Sequence, residues 1–89
     1  MNPLFRTFSV CRRSTNEAVI YRCLERLEDH RFFVQSADRV RPPIRIEDIQ
    51  YQEQQFWELF IESSPEERGE AHSTVEEAIA AFDAYFENS

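Results

Sequence analysis

Charge is sorted along this chain, and the sorting limits how it can fold. Residues 1–45 hold nine arginines against five acids, a net of +4, and residues 46–89 hold one arginine against twelve acids, a net of −11, which together give −7. Two segments of opposite sign attract, so arrangements that lay one against the other are favoured. There is no lysine, so every side-chain cation except histidine is a planar guanidinium, able to grip a carboxylate through two parallel hydrogen bonds. The expectation that follows is internal pairing: the arginines, above all Arg39, Arg41 and Arg45, answer acids of the same protein.

Eighty-nine residues suffice for one small domain, 1–89, and 42% apolar with 13% aromatic content is a globular composition. Eight phenylalanines and a tryptophan are many for so small a core to hide, so some aromatic surface is expected to remain for a partner. Met1 to Arg6 lacks the apolar stretch of a secretory signal, and no run reaches membrane-spanning length. The expected setting is the cytoplasm, without membrane contact.

Periodicity predicts the order β-α-β-β-α. Residues 4–11 read as a strand with Leu4, Phe8 and Val10 on one side, interrupted by Arg6. Ser14-Thr15-Asn16-Glu17 has the spacing of a helix capping box, and Ile20, Cys23, Leu24 and Leu27 then recur at helical intervals, predicting a helix over 15–29 closed by His30. Residues 31–36 read as a strand, and 37–51 as irregular chain stiffened by Pro42 and Pro43 and tethered by Ile44, Ile46 and Ile49. Across 54–63, Trp57, Leu59 and Ile61 alternate with Phe56, Glu58, Phe60 and Glu62, which favours a half-buried strand over a helix. A polar turn containing the only glycine leads to a helix capped by Ser73 or Thr74, with Val75, Ala78, Ile79, Phe82 and Phe86 as its apolar stripe. The fold class is α+β: two layers, a small antiparallel sheet with two helices on one face, and the last stripe packed on Trp57, Leu59 and Ile61.

Chemistry-bearing patterns are sparse. Arg39, Arg41 and Arg45 lie on an extended, proline-stiffened segment able to hold a small anion, though the protein's own carboxylates compete for them. Cys11, Cys23, His30 and His72 fit no zinc spacing, so no metal is expected. One glycine excludes a glycine-rich phosphate loop, and no nucleophile, base and orienting group are spaced for catalysis. No cofactor and no enzymatic activity are expected.

The leading functional reading is a non-enzymatic interaction or regulatory module that self-associates or docks on another protein. Its expected surface is the strand face carrying Phe56 and Phe60 beside Glu58 and Glu62. An acidic decoy that fills the basic groove of a nucleic-acid-binding protein is the alternative, because clustered carboxylates resemble a phosphate backbone. Direct nucleic-acid binding is disfavoured by the net charge.

Overall fold

The computed structural model describes residues 2–87. Three antiparallel strands, β1 (Phe5–Ser14), β2 (Glu17–Arg26) and β3 (Arg31–Val40), form a sheet in the order β1-β2-β3. Helices α1 (Ile46–Glu62), α2 (Pro65–Arg68) and α3 (Val75–Glu87) follow. The class is α+β with a small antiparallel sheet, in the order β-β-β-α-α-α rather than β-α-β-β-α.

Residues 15–29 are a turn and a strand, not a helix. The β1–β2 register runs from Phe5 opposite Arg26 to Ser14 opposite Glu17, so the expected capping box is a two-residue hairpin turn. Asn16 takes the left-handed conformation with φ 66°, which asparagine tolerates better than most side chains. His30 does the same at φ 55° in the β2–β3 turn, where its N–H donates to the Arg26 carbonyl over 2.8 Å.

Strand geometry alternates side chains between faces, so a strand covered on one side buries every second residue. Cys23 and Leu24 are neighbours and both are 0% exposed. Each face of β2 is therefore covered. Tyr21 and Cys23 pack with Ile79 of α3, supported by Val19, Val34, Val75 and Phe82. On the other face Leu24 packs with Phe33 and with Phe56 of α1, supported by Phe5 and Phe60. The two long helices thus take opposite faces of the sheet instead of sharing one, and α3 rests on β2 and β3 rather than on residues 57–61.

The stretch expected to be irregular, 37–51, instead completes β3 to Val40 and opens α1 at Ile46, and its expected tethers Ile44, Ile46 and Ile49 are exposed. Segment 54–63 belongs to α1, a correction with a physical cause. On a helix, Phe56 and Phe60 share a face at i, i+4, and their rings stack in parallel with centroids 6.3 Å apart. Of the other half of the apparent alternation, Trp57 and Ile61 fall on an exposed flank, whereas Leu59 is half-buried and lies apart from them. At the end of the chain the expectation holds: the Glu77 backbone N–H donates to Thr74 Oγ1 over 3.1 Å, capping α3. Among the described residues, no helix is long and apolar enough to cross a membrane.

Candidate functional site

The arginines are mostly occupied by acids of the same chain. Arg41 Nε lies 3.0 Å from Glu17 Oε2, Arg39 3.7 Å from Glu17 Oε1, and Arg45 3.9 Å from Glu47. The expected anion site is therefore three exposed guanidinium groups spread over two carboxylates, and they do not converge on an open centre. Other pairs fasten helices to the sheet. Arg22 of β2 donates to Asp38 of β3 and Glu53 of α1, both at 3.2 Å. Arg26 reaches Glu66 of α2 at 3.3 Å, and Arg12 of β1 reaches Asp83 of α3 at 3.3 Å. Asp83 also accepts the Tyr21 hydroxyl at 2.9 Å.

Two carboxylates are held below their ordinary range. His30 and then Arg6 hydrogen-bond Glu25 and lower its pKa, and Arg26 does the same to Asp29. Arg6 sits directly opposite Glu25 in the β1–β2 register, which explains why a cation interrupts the apolar face of β1. Burial pushes the Cys23 thiol up to about 11, whereas Cys11 is exposed. Among the described residues, no group of three or more His, Cys, Asp or Glu side chains is placed to hold a metal ion.

Of the expected interaction residues, Phe56 is core, at 5% exposure, and Phe60 is half-buried against Phe5. Neither is left over for a partner, because α1 turns both toward the sheet. Glu58 and Glu62 are exposed on the outer side of that helix. What α1 leaves uncovered is a flank: Ile46 is 67% exposed, Trp57 41% and Ile61 82%. That flank lies on the β1 side, since Phe60 meets Phe5 of β1 and Trp57 meets Phe60, while Gln52 on the opposite flank donates to the Arg39 carbonyl of β3. Next to it, Thr7, Ser9 and Cys11 of β1 are exposed. The sequence reading missed the flank because it placed Trp57 and Ile61 on the inner face of a strand.

No protein-family model matches the chain, and comparison with curated proteins and with solved structures finds no match either.

Two further hollows lie along β3. One, of about 370 Å³, sits between the edge of β3, α2 and α3, with Leu24, Phe33, Phe82 and Phe86 in its walls and Arg68 and Glu70 at its margin. The other, of about 540 Å³, lies between β3 and α3 with Arg12, Tyr21, Arg39 and Asp83 in its lining. They share Gln35, Phe82 and Phe86. Gln35 is the extra residue of a bulge where the β2–β3 register shifts, and its amide nitrogen donates to the Phe56 carbonyl at 2.9 Å. The sequence carried no signal for this trench, which exists only because α3 crosses to the far face of the sheet.

Proposed function

We propose that the protein is a non-catalytic, cytoplasmic interaction module that pairs with a second copy of itself through β1 and the neighbouring flank of α1. The observation that carries this reading is the exposed row of Ile46, Trp57 and Ile61 beside an unpaired edge strand. The hydrogen bond from Leu27 N–H to the Leu4 carbonyl fixes the phase of the ladder: even-numbered residues of β1 bond to β2. Phe5, Thr7, Ser9, Cys11 and Arg13 therefore turn their backbone groups outward. An open edge of ten residues is a template for another strand.

Two-fold pairing of β1 with itself gives a six-stranded sheet and sets both Trp57 flanks over a shared strip of Thr7, Ser9 and Cys11. Of the three β1 arginines, Arg6 and Arg12 point to the other face and are matched by Glu25 and Asp83, which leaves Arg13, near one end of the strand, on the shared face. Free thiols on Cys11 and Cys23 fit a reducing compartment.

Sedimentation over a range of concentrations tests the reading. Wild type should dimerise, and Ser9→Pro should stay folded but monomeric, since it removes an outward N–H without touching the β1–β2 ladder. A wild type that remains monomeric at every concentration, or a dimer indifferent to both Ser9→Pro and Trp57→Ser, would sink it.

A further inference from the structure

The opposite edge of the sheet already shows how it receives a strand. Phe32 N–H donates to the His72 carbonyl over 2.8 Å and His72 N–H to the Phe32 carbonyl over 2.9 Å, an antiparallel pair that makes His72 a fourth strand one residue long. Continuing that ladder would set Glu70 opposite Val34. The chain instead turns away toward α2, and the 370 Å³ hollow opens in the gap.

Alternation makes Val34 the next residue of β3 with outward backbone groups, and the bulge at Gln35 moves the one after to Ala37. Arg39 then confirms the phase, because its carbonyl accepts from Gln52 outside the sheet. Among the described residues, no hydrogen bond from outside the sheet reaches the backbone of Val34 or Ala37. Beside this stretch runs the trench formed by both hollows, walled on the α3 side by Phe82 and Phe86.

Charge adds a direction. The trench is lined by Arg12, Arg39 and Arg68 against Glu70 and Asp83, one cation in excess on a chain of net −7. Arg12 and Arg39 have Asp83 and Glu17 as partners, whereas among the described residues Arg68 makes no ion pair and donates to the Ser63 hydroxyl at 3.3 Å. A strand antiparallel to β3, as His72 is, runs from the Arg39 end toward the Val34 end and finishes beside Arg68.

We infer that the edge of β3 and α3 form a strand-addition groove for the C-terminal segment of another protein. The segment pairs with Val34 and Ala37, sets a bulky apolar side chain against Phe82 and Phe86, and presents its terminal carboxylate to Arg68. Main-chain pairing supplies affinity in such a mode, and the pockets beside it supply selectivity. This surface lies on the edge opposite β1, so it stands independently of self-association.

The test uses the full chain carrying Ser9→Pro, which keeps the two surfaces apart. A random heptapeptide library displayed with free C-termini is panned on it, and the enriched peptides are synthesised and titrated by fluorescence anisotropy and amide NMR. The expected winners end in a large apolar residue, shift the amide signals of Val34 and Ala37, and lose roughly tenfold or more in affinity when amidated or when tested on Arg68→Gln. Phe86→Asp, a change at a 58% exposed position, should weaken them without unfolding the chain. An unenriched library, winners that bind equally well as amides, or binding that leaves Val34 and Ala37 unshifted overturns the proposal. So does anilinonaphthalene sulfonate shifting those same amides when no peptide does, because the hollow is then a small-molecule pocket.

Discussion

Placing α1 and α3 on opposite faces of the sheet has a measurable consequence, best read in a double-mutant cycle. Phe56 belongs to the cluster with Leu24 and Phe33, and Ile79 to the cluster with Tyr21 and Cys23, with the sheet between them. Truncations gentle enough to leave the chain folded are Phe56→Leu and Ile79→Val, each costing about 1 kcal/mol in lost burial and cavity. An 89-residue domain has roughly 4–13 kcal/mol to lose, so the double variant remains native. Urea unfolding at a slope of about 1 kcal/mol per molar then moves the midpoint about 1 M for each single change. Sites without shared partners add, so the double variant should lie about 2 M below wild type, with a coupling energy under about 0.5 kcal/mol. Phe33→Leu with Phe56→Leu is the positive control: these residues share one cluster and should couple by more than about 0.5 kcal/mol. Coupling between Phe56 and Ile79 as large as in the control would mean a common core and would refute the opposite-face arrangement.

Three other outcomes follow from particular residues. A disulfide reagent such as Ellman's should modify Cys11 at once and Cys23 only after denaturant, because Cys23 is fully enclosed and its thiol is raised to about 11; two fast equivalents would contradict this. Glu25 and Asp29 have folded pKa values below their ordinary 4.5 and 3.8, so the stability they give is complete above those values and is lost as pH falls through the depressed ones. Urea midpoints should hold above about pH 5 and decline toward about pH 3, with part of the decline absent in Glu25→Gln; a flat profile in wild type refutes the pairing. Gly69→Ala should be neutral or stabilise by roughly 0.4–1 kcal/mol, since its φ of −167° suits any residue and an added Cβ meets nothing within 4 Å. A clear loss of stability would show that the turn needs its glycine.

The α+β class, strands read at 4–11 and 31–36 and found at Phe5–Ser14 and Arg31–Val40, the last helix with its Thr74 cap, and the internal pairing of Arg39, Arg41 and Arg45 were all legible in the sequence. Two of the misread segments, 15–29 and 54–63, fail for one reason. A strand covered on both faces loses its alternation, and in β2 Tyr21, Cys23, Leu24 and Glu25 are all buried, so Ile20, Cys23, Leu24 and Leu27 imitate a helical stripe. Conversely, α1 leaves Trp57 and Ile61 exposed beside its true inward positions, so its apolar residues fill both phases of a two-residue repeat. Register and cover are long-range facts. A single-residue window reports how apolar a position is, not how many neighbours stand over it. The candidate surfaces were illegible for the same reason, since each depends on which side of the sheet a helix takes.

The charge sorting gains a more specific meaning once the layers are known. The three helices lie in the acidic half, and each receives its own arginine from the sheet: α1 takes Arg22, α2 takes Arg26 and α3 takes Arg12. Arg22 and Arg26 are even-numbered residues of β2 and share the face of Leu24, whereas Arg12 lies opposite Val19 and shares the face of Tyr21. The arginines therefore sort the helices by face. Pairs of this kind, each with one member partly or largely open to water, contribute only about 0–1 kcal/mol apiece, too little to account for the fold. Their effect is discrimination: with α1 and α3 exchanged, Glu53 and Asp83 would each lose their guanidinium partner, and Arg22, with its side chain 14% exposed, would lose its bond to α1. An apolar core of Phe, Leu and Ile discriminates less sharply between arrangements, because hydrophobic repacking at conserved volume is tolerated. A short chain with two similar amphipathic helices needs something less forgiving to tell the faces apart, and planar cations at fixed strand positions meet that need.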